Sequence, residues 1–125
     1  MQRHTLRFFG QHGPRAIELL IASTAPERMR GLLGRAPLQA GEGMLLVSCR
    51  LIHTFGMGYP LDLVYLARDG HVLKVTAALP KRRMDGHWRA HSVLEMAAGQ
   101  AQHCGIARGV QLPLESIGRP AARAA

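Results

Sequence analysis

Short apolar runs bounded by Gly, Pro and polar residues recur along most of this chain, the pattern expected of short strands packed on a core. Thr5 to Phe8 and Ala16 to Ala22 flank Gly10-Gln11-His12-Gly13-Pro14, where Gly and Pro supply a reversal, so a hairpin is expected to open the chain. The pattern then changes. Thr24 is suited to an N-cap, Glu27 stands three positions later in the capping-box place, and Pro26 falls in the first turn. A short helix over Ala25 to Leu33 is expected, with Met29, Leu32 and Leu33 on the side facing a sheet and Gly34 as its stop.

Further apolar runs follow at Met44 to Val47, Leu61 to Leu66 and His71 to Leu79. Arg68-Asp69-Gly70 separates the last two, and Asp-Gly between strands predicts an antiparallel hairpin with a type I′ turn. Pro80 to Ala90 reads as a polar, basic excursion. Beyond it come a strand over Ser92 to Met96, a short helix over Ala97 to Cys104 closed by Gly105, and a last strand near Val110 to Leu114. No segment offers the long helices that cover a parallel sheet. The expected fold class is therefore mainly β: a single-domain antiparallel β-sandwich or partly open β-barrel with two short helices, spanning residues 1–116, with a disordered tail over 117–125.

Composition adds limits. With 125 residues, one core is expected, and only 5% aromatic residues means that Leu, Val, Ile, Met and Ala fill it. No apolar run reaches the length of a membrane span, and Met1 to Phe9 lacks the apolar stretch of an export signal, so a cytoplasmic location is expected. The two cysteines, Cys49 and Cys104, read as reduced thiols. The net charge of +8 invites a phosphate or nucleic-acid reading, centred on the dense stretch from Lys81, Arg82 and Arg83 to Arg89 with Trp88 beside it. Arg outnumbers Lys fourteen to two and the cations are scattered, which favours a solvated basic surface and argues against nucleic acid as the main partner.

As an ordered set, several motifs resemble the successive signatures of the bacterial family known as domain of unknown function 192. They are Glu27-Arg28 with Gly31-Leu32 and Arg35, Glu42-Gly43-Met44-Leu45, His53-Thr54-Phe55-Gly56-Met57, Pro60-Leu61-Asp62, Asp69-Gly70-His71-Val72, Val93-Leu94-Glu95 with Ala98-Gly99, and Gly105 to Gly109. The match covers Ile17 to Glu115. It implies a compact, mostly β fold and no established reaction, and many members of the family are exported. This chain carries His-Thr-Phe-Gly-Met where many relatives have Phe-Trp-Met-Lys-Asn-Thr, so no role is carried over for an aromatic or Lys at that place.

The chemistry-bearing residues are few. Cys49 and His53 could form a thiolate and imidazole pair, but on an extended strand they would stand about 13 Å apart, so the pair needs a bend. Cys49, His53, His71, His87, His91 and Cys104 are possible zinc ligands without a chelating spacing for strands, and no metal or cofactor is expected. The loop from His53 to Asp62 holds two glycines and a proline between apolar runs, which marks it as a ligand-binding candidate through His53, Thr54, Phe55, Gly56, Met57 and Asp62. Asp62 shares a strand face with Val64 and Leu66 and must be partnered. The amides of its own loop are the expected donors. Glu95, between Leu94 and Met96, could be the second acid of a catalytic pair with Asp62, but alternation makes it the outward residue of a half-exposed strand. Three functions follow: binding of a small molecule or peptide segment through the His53–Asp62 loop, hydrolysis by Cys49 or His53 with Asp62, and phosphate or nucleic-acid binding through Lys81–Arg89.

Overall fold

The computed structural model describes residues 1–117. Its strands are β1 (Gln2–Gly10), β2 (Gly13–Ala22), β3 (Glu42–Val47), β4 (Leu51–His53), β5 (Leu61–Leu66), β6 (Val72–Leu79), β7 (Met84–Gly86) and β8 (Ser92–Ala97). Helix α1 (Ala25–Arg30) follows β2, helix α2 (Gln100–His103) follows β8, and a 3₁₀ turn covers Leu114–Ser116. Six strands form one open sheet in the order β1-β2-β3-β8-β5-β6, and β4 pairs with β7 in a separate two-stranded ribbon.

Both predicted hairpins form, β1 with β2 and β5 with β6, because each has its reversal encoded between two apolar runs. The second turn is not type I′. Gly70 alone of its residues has positive φ, at 92°, and its amide donates to Ala67 O at 2.9 Å, which gives an ordinary turn with glycine in the left-handed place after it. The sheet is also not purely antiparallel. β2 and β3 run parallel, with Ile21 beside Leu45, since the 25–41 segment carries the chain back to the other end of the sheet before β3 begins. β8 then slots between β3 and β5.

Alternation along these strands feeds two apolar layers. One face gathers Leu6, Phe8, Ile17, Leu19, Ile21, Leu45, Val64, Leu94 and Met96 beneath Ala101, Ile106 and Leu112. The other gathers Met44, Leu46, Leu61, Leu63, Tyr65 and Val93 beneath Leu32, Leu38 and Ile52. Full burial of a Leu or Val of this kind stabilises by about 1.5–3 kcal/mol. The ribbon is anchored on this second face by Asp85, whose carboxylate accepts from Tyr65 Oη at 2.7 Å and Thr76 Oγ1 at 2.8 Å and lies 3.4 Å from Lys74 Nζ. Burial opposes ionisation of Asp85, but those three partners outweigh it and its pKa lies below the ordinary value.

Several expectations are corrected. The capping box of α1 forms as read, with Thr24 and Glu27 exchanging hydrogen bonds, yet the helix ends at Arg30 because Gly31, with φ 51°, already turns the chain. Met29 is consequently 79% exposed, and the anchor on the sheet is Leu32 in the turn that follows. No strand forms over 110–114. That segment is held by one bridge, His71 to Gln111, and Pro113 cannot donate to extend it. Residues 51–53 and 84–86, for which no strand was expected, are the two strands of the ribbon. Ile117, the first residue of the expected tail, packs partly against the core, and the rest of that tail lies outside the described residues. No helix among the described residues is long and apolar enough to cross a membrane.

Candidate functional site

The second face of the sheet is not covered completely. Between the Gly31–Leu33 turn and β4 with its following loop lies a cleft of about 70 Å³, room for a few heavy atoms, lined by Arg28 to Leu33, Leu46, Cys49, Leu51 to His53, Phe55, Met57 and Glu95. β8 carries Glu95 on the same face as Val93, so its carboxyl rises from the sheet into this space. It is not outward-facing as alternation suggested: Glu95 is only 5% exposed, because α1, the Gly31 turn and the ribbon form a second layer over the face assumed to be wet. The carboxyl stands under Gly31, where an added Cβ would come within 3.8 Å of Oε1.

Nothing among the described residues donates to that carboxyl or pairs with its charge, and burial alone pushes its pKa from 4.5 up to about 7. Around the mouth, Met29, Leu51 and Phe55 are large apolar side chains left exposed. His53 and Phe55 stack loosely, with ring centroids 5.9 Å apart. Wider hollows exist, including one of about 730 Å³ beside Phe8 and Phe9, but none of them holds a buried titratable group without a partner among the described residues.

The predicted loop residues divide. His53, Phe55 and Met57 line the cleft. Thr54 does not: it is fully buried, its hydroxyl donates to Pro80 O at 2.6 Å and accepts from Arg83 N at 2.9 Å, and it ties the loop to the β6–β7 connection. Gly56 supplies a turn at φ 83°, and a Cβ there would meet Leu33 Cδ2 at 3.0 Å, so glycine lets the loop close on the turn after α1. Asp62 faces the opposite side of the sheet. As expected it is partnered, but its donors are Ala78 N at 2.8 Å and Ala101 N at 2.9 Å rather than the amides of its own loop.

Cys49 also lines the cleft, with its thiol donating to Leu51 O at 3.4 Å and making no hydrogen bond with His53. Burial pushes the Cys49 thiol up, and the nearby Glu95 adds to this, so it is a protonated thiol at neutral pH. The assembly of Cys49 or His53 with Asp62 that a hydrolytic site would need is not formed, since Asp62 is engaged across the sheet. Cys104 is buried in the first core. No three His, Cys, Asp or Glu side chains among the described residues are placed to hold a metal ion.

The basic stretch does not converge. Trp88 is 73% exposed with Arg89 stacked on it at 4.6 Å, and Arg89 shares a groove with His71, His87 and Arg108 that Lys81, Arg82 and Arg83 do not line. Glu95 is buried rather than outward, and it forms no acid pair with Asp62 because the two lie on opposite faces of the sheet. The signal for its burial was in the sequence. Val93 and Ala97, two positions away on either side, are apolar and share its strand face.

Comparison with known proteins agrees with this architecture. A crystal structure of a protein from Sinorhizobium meliloti 1021, described as a "putative transcription regulator", superposes with a TM-score of 0.80 at 20% identity, covering 89% of this chain and 92% of that one. A protein of unknown function from Novosphingobium aromaticivorans DSM 12444 also superposes with a TM-score of 0.80, at 23% identity over 90% of this chain and 85% of that one. At such identities the likeness establishes the shared fold. No protein of curated function matches the chain. Residues 8–114 match the sequence profile of the family described as "Uncharacterized ACR". The chain therefore belongs to the domain of unknown function 192 family, the one that its ordered motifs resemble.

Proposed function

We propose that this protein is a binding domain, and that a small molecule or one side chain of a peptide segment seats in the cleft between the Gly31–Leu33 turn and the His53–Met57 loop. The observation that carries this reading is a buried carboxyl without a partner at the floor of a cleft whose rim keeps Met29, Leu51 and Phe55 in water. Both features cost stability in the free protein, and an amphipathic ligand removes both costs together. His53, Phe55 and Met57 supply the ligand-facing side chains of the loop, while Thr54 and Gly56 hold its shape.

Amide chemical-shift mapping on ¹⁵N-labelled protein with a panel of amphipathic fragments and short unstructured peptides tests it. The expected outcome is perturbation concentrated at 31–33, 49–57 and 95, weakened in a Phe55→Ser variant. Perturbation centred instead on 71, 87–89 and 108 would transfer the site to the basic groove and overturn the reading.

A further inference from the structure

We infer that the cleft selects a ligand ending in a primary alkylammonium, the head group seated on Glu95 and the aliphatic stem lying along Phe55, Met57 and Leu51. This rests on the binding function proposed above and goes beyond it by naming the chemistry of the ligand. The carboxyl is in place before any ligand arrives, already stripped of most of its water and bonded to nothing among the described residues. Its desolvation is borne by the fold, so an incoming cation contributes only its own. The head must be small, because the cleft holds about 70 Å³ and Gly31 passes directly over Oε1. An ammonium with three donors fits that space better than a planar guanidinium. The remainder is apolar and slender, since Leu46, Ile52, Met57 and Phe55 line the same narrow cleft as Glu95.

Other charged groups near Glu95 come from every neighbouring element. Cys49 follows β3, Tyr65 stands on β5, His53 ends β4, and Arg28 and Arg30 belong to α1. Burial raises the Cys49 thiol and the Tyr65 phenol, so both are neutral and neither competes for the cation. Arg28 Nη1 donates to Ser23 O at 2.7 Å, Arg30 Nε to Leu33 O at 3.2 Å and, from the turn over the cleft, Arg35 Nε to Gly31 O at 3.0 Å, and none of the three forms an ion pair with Glu95. The two sources of such a head group are a free alkylamine and a lysine side chain of a peptide.

The test is titration of labelled protein with n-butylammonium, with 1-butanol, and with an acetylated, amidated tripeptide having a central lysine, at several pH values from 5.5 to 8.5. The ammonium is expected to shift the amides of the cleft and to bind at least about tenfold more tightly than butanol at pH 8. Its affinity should fall by about tenfold per pH unit below 7 as Glu95 takes up its proton, while butanol binding stays level. Glu95→Gln should abolish the ammonium preference and its pH dependence. Tighter binding of the tripeptide than of n-butylammonium assigns the peptide source, and the reverse order the free amine. Equal, pH-independent binding of ammonium and butanol would overturn the ammonium assignment and leave the cleft as a binding site. No perturbation of the cleft by any of the three probes would overturn both.

Discussion

Asp62 Oδ2 accepts the amide of Ala101 at 2.9 Å across 39 residues of sequence, so a carboxylate on β5, the strand next to the edge, caps the first turn of α2. Its other oxygen takes Ala78 N at 2.8 Å, at the irregular pairing between Leu61 and Leu63 where β6 carries one extra residue and Ala78 adopts φ 49°. One side chain thus holds a bulge and a helix start together. Asp62→Ala would leave both donors unpaired, and a loss of about 2–4 kcal/mol is expected. Asp62→Asn keeps one acceptor and should lose about half of that. Urea denaturation midpoints of the three proteins measure the differences, and a parental midpoint for Asp62→Ala would refute the structural role.

Glu95 predicts an unusual pH dependence. Its pKa in the folded protein, about 7, lies above the ordinary 4.5, so the folded state binds a proton more tightly than the unfolded chain. Stability is therefore greatest below pH 4.5 as far as this group is concerned, declines between 4.5 and 7, and is level above. The accumulated loss is about 3 kcal/mol. Glu95→Gln should remove this decline and raise stability at pH 8 by about 1–3 kcal/mol, read from thermal or urea unfolding at pH 5 and pH 8.

Thr54 secures the rim of the cleft through Pro80 O and Arg83 N. In Thr54→Val the shape is kept while both partners lose their bond, and a cost of about 1–3 kcal/mol is expected. Amide hydrogen exchange offers the sharper measurement. Protection at Arg83 should fall in the variant, whereas protection along β8 should fall only as far as global stability does.

Cys49 should be an inert thiol despite its place in the cleft. Because burial and Glu95 both disfavour its thiolate, alkylation by iodoacetamide at pH 7.5 is expected to be at least about tenfold slower than for an unstructured cysteine peptide. Labelling followed by mass spectrometry checks this. Rapid modification at neutral pH would revive a nucleophilic role.

The features legible in the chain are those that neighbouring residues decide among themselves. Thr24 with Glu27 closes a capping box within one turn, the Gly10 to Gly13 and Asp69-Gly70 segments reverse the chain between apolar runs, and short apolar runs mark β5 and β8. The need for a partner at Asp62 was likewise visible from Val64 and Leu66 on its face. Which partner could not be read, because Ala78 and Ala101 lie 16 and 39 residues away and come to it only through a bulge and a helix placed by packing. For the same reason the parallel seam of β2 with β3 and the insertion of β8 between β3 and β5 rest on long-range pairing that no local pattern encodes. Glu95 shows the difference most sharply. Its strand face is written in Val93 and Ala97, but whether that face meets water depends on a three-residue ribbon and a glycine turn too short to register as a layer until they close over it.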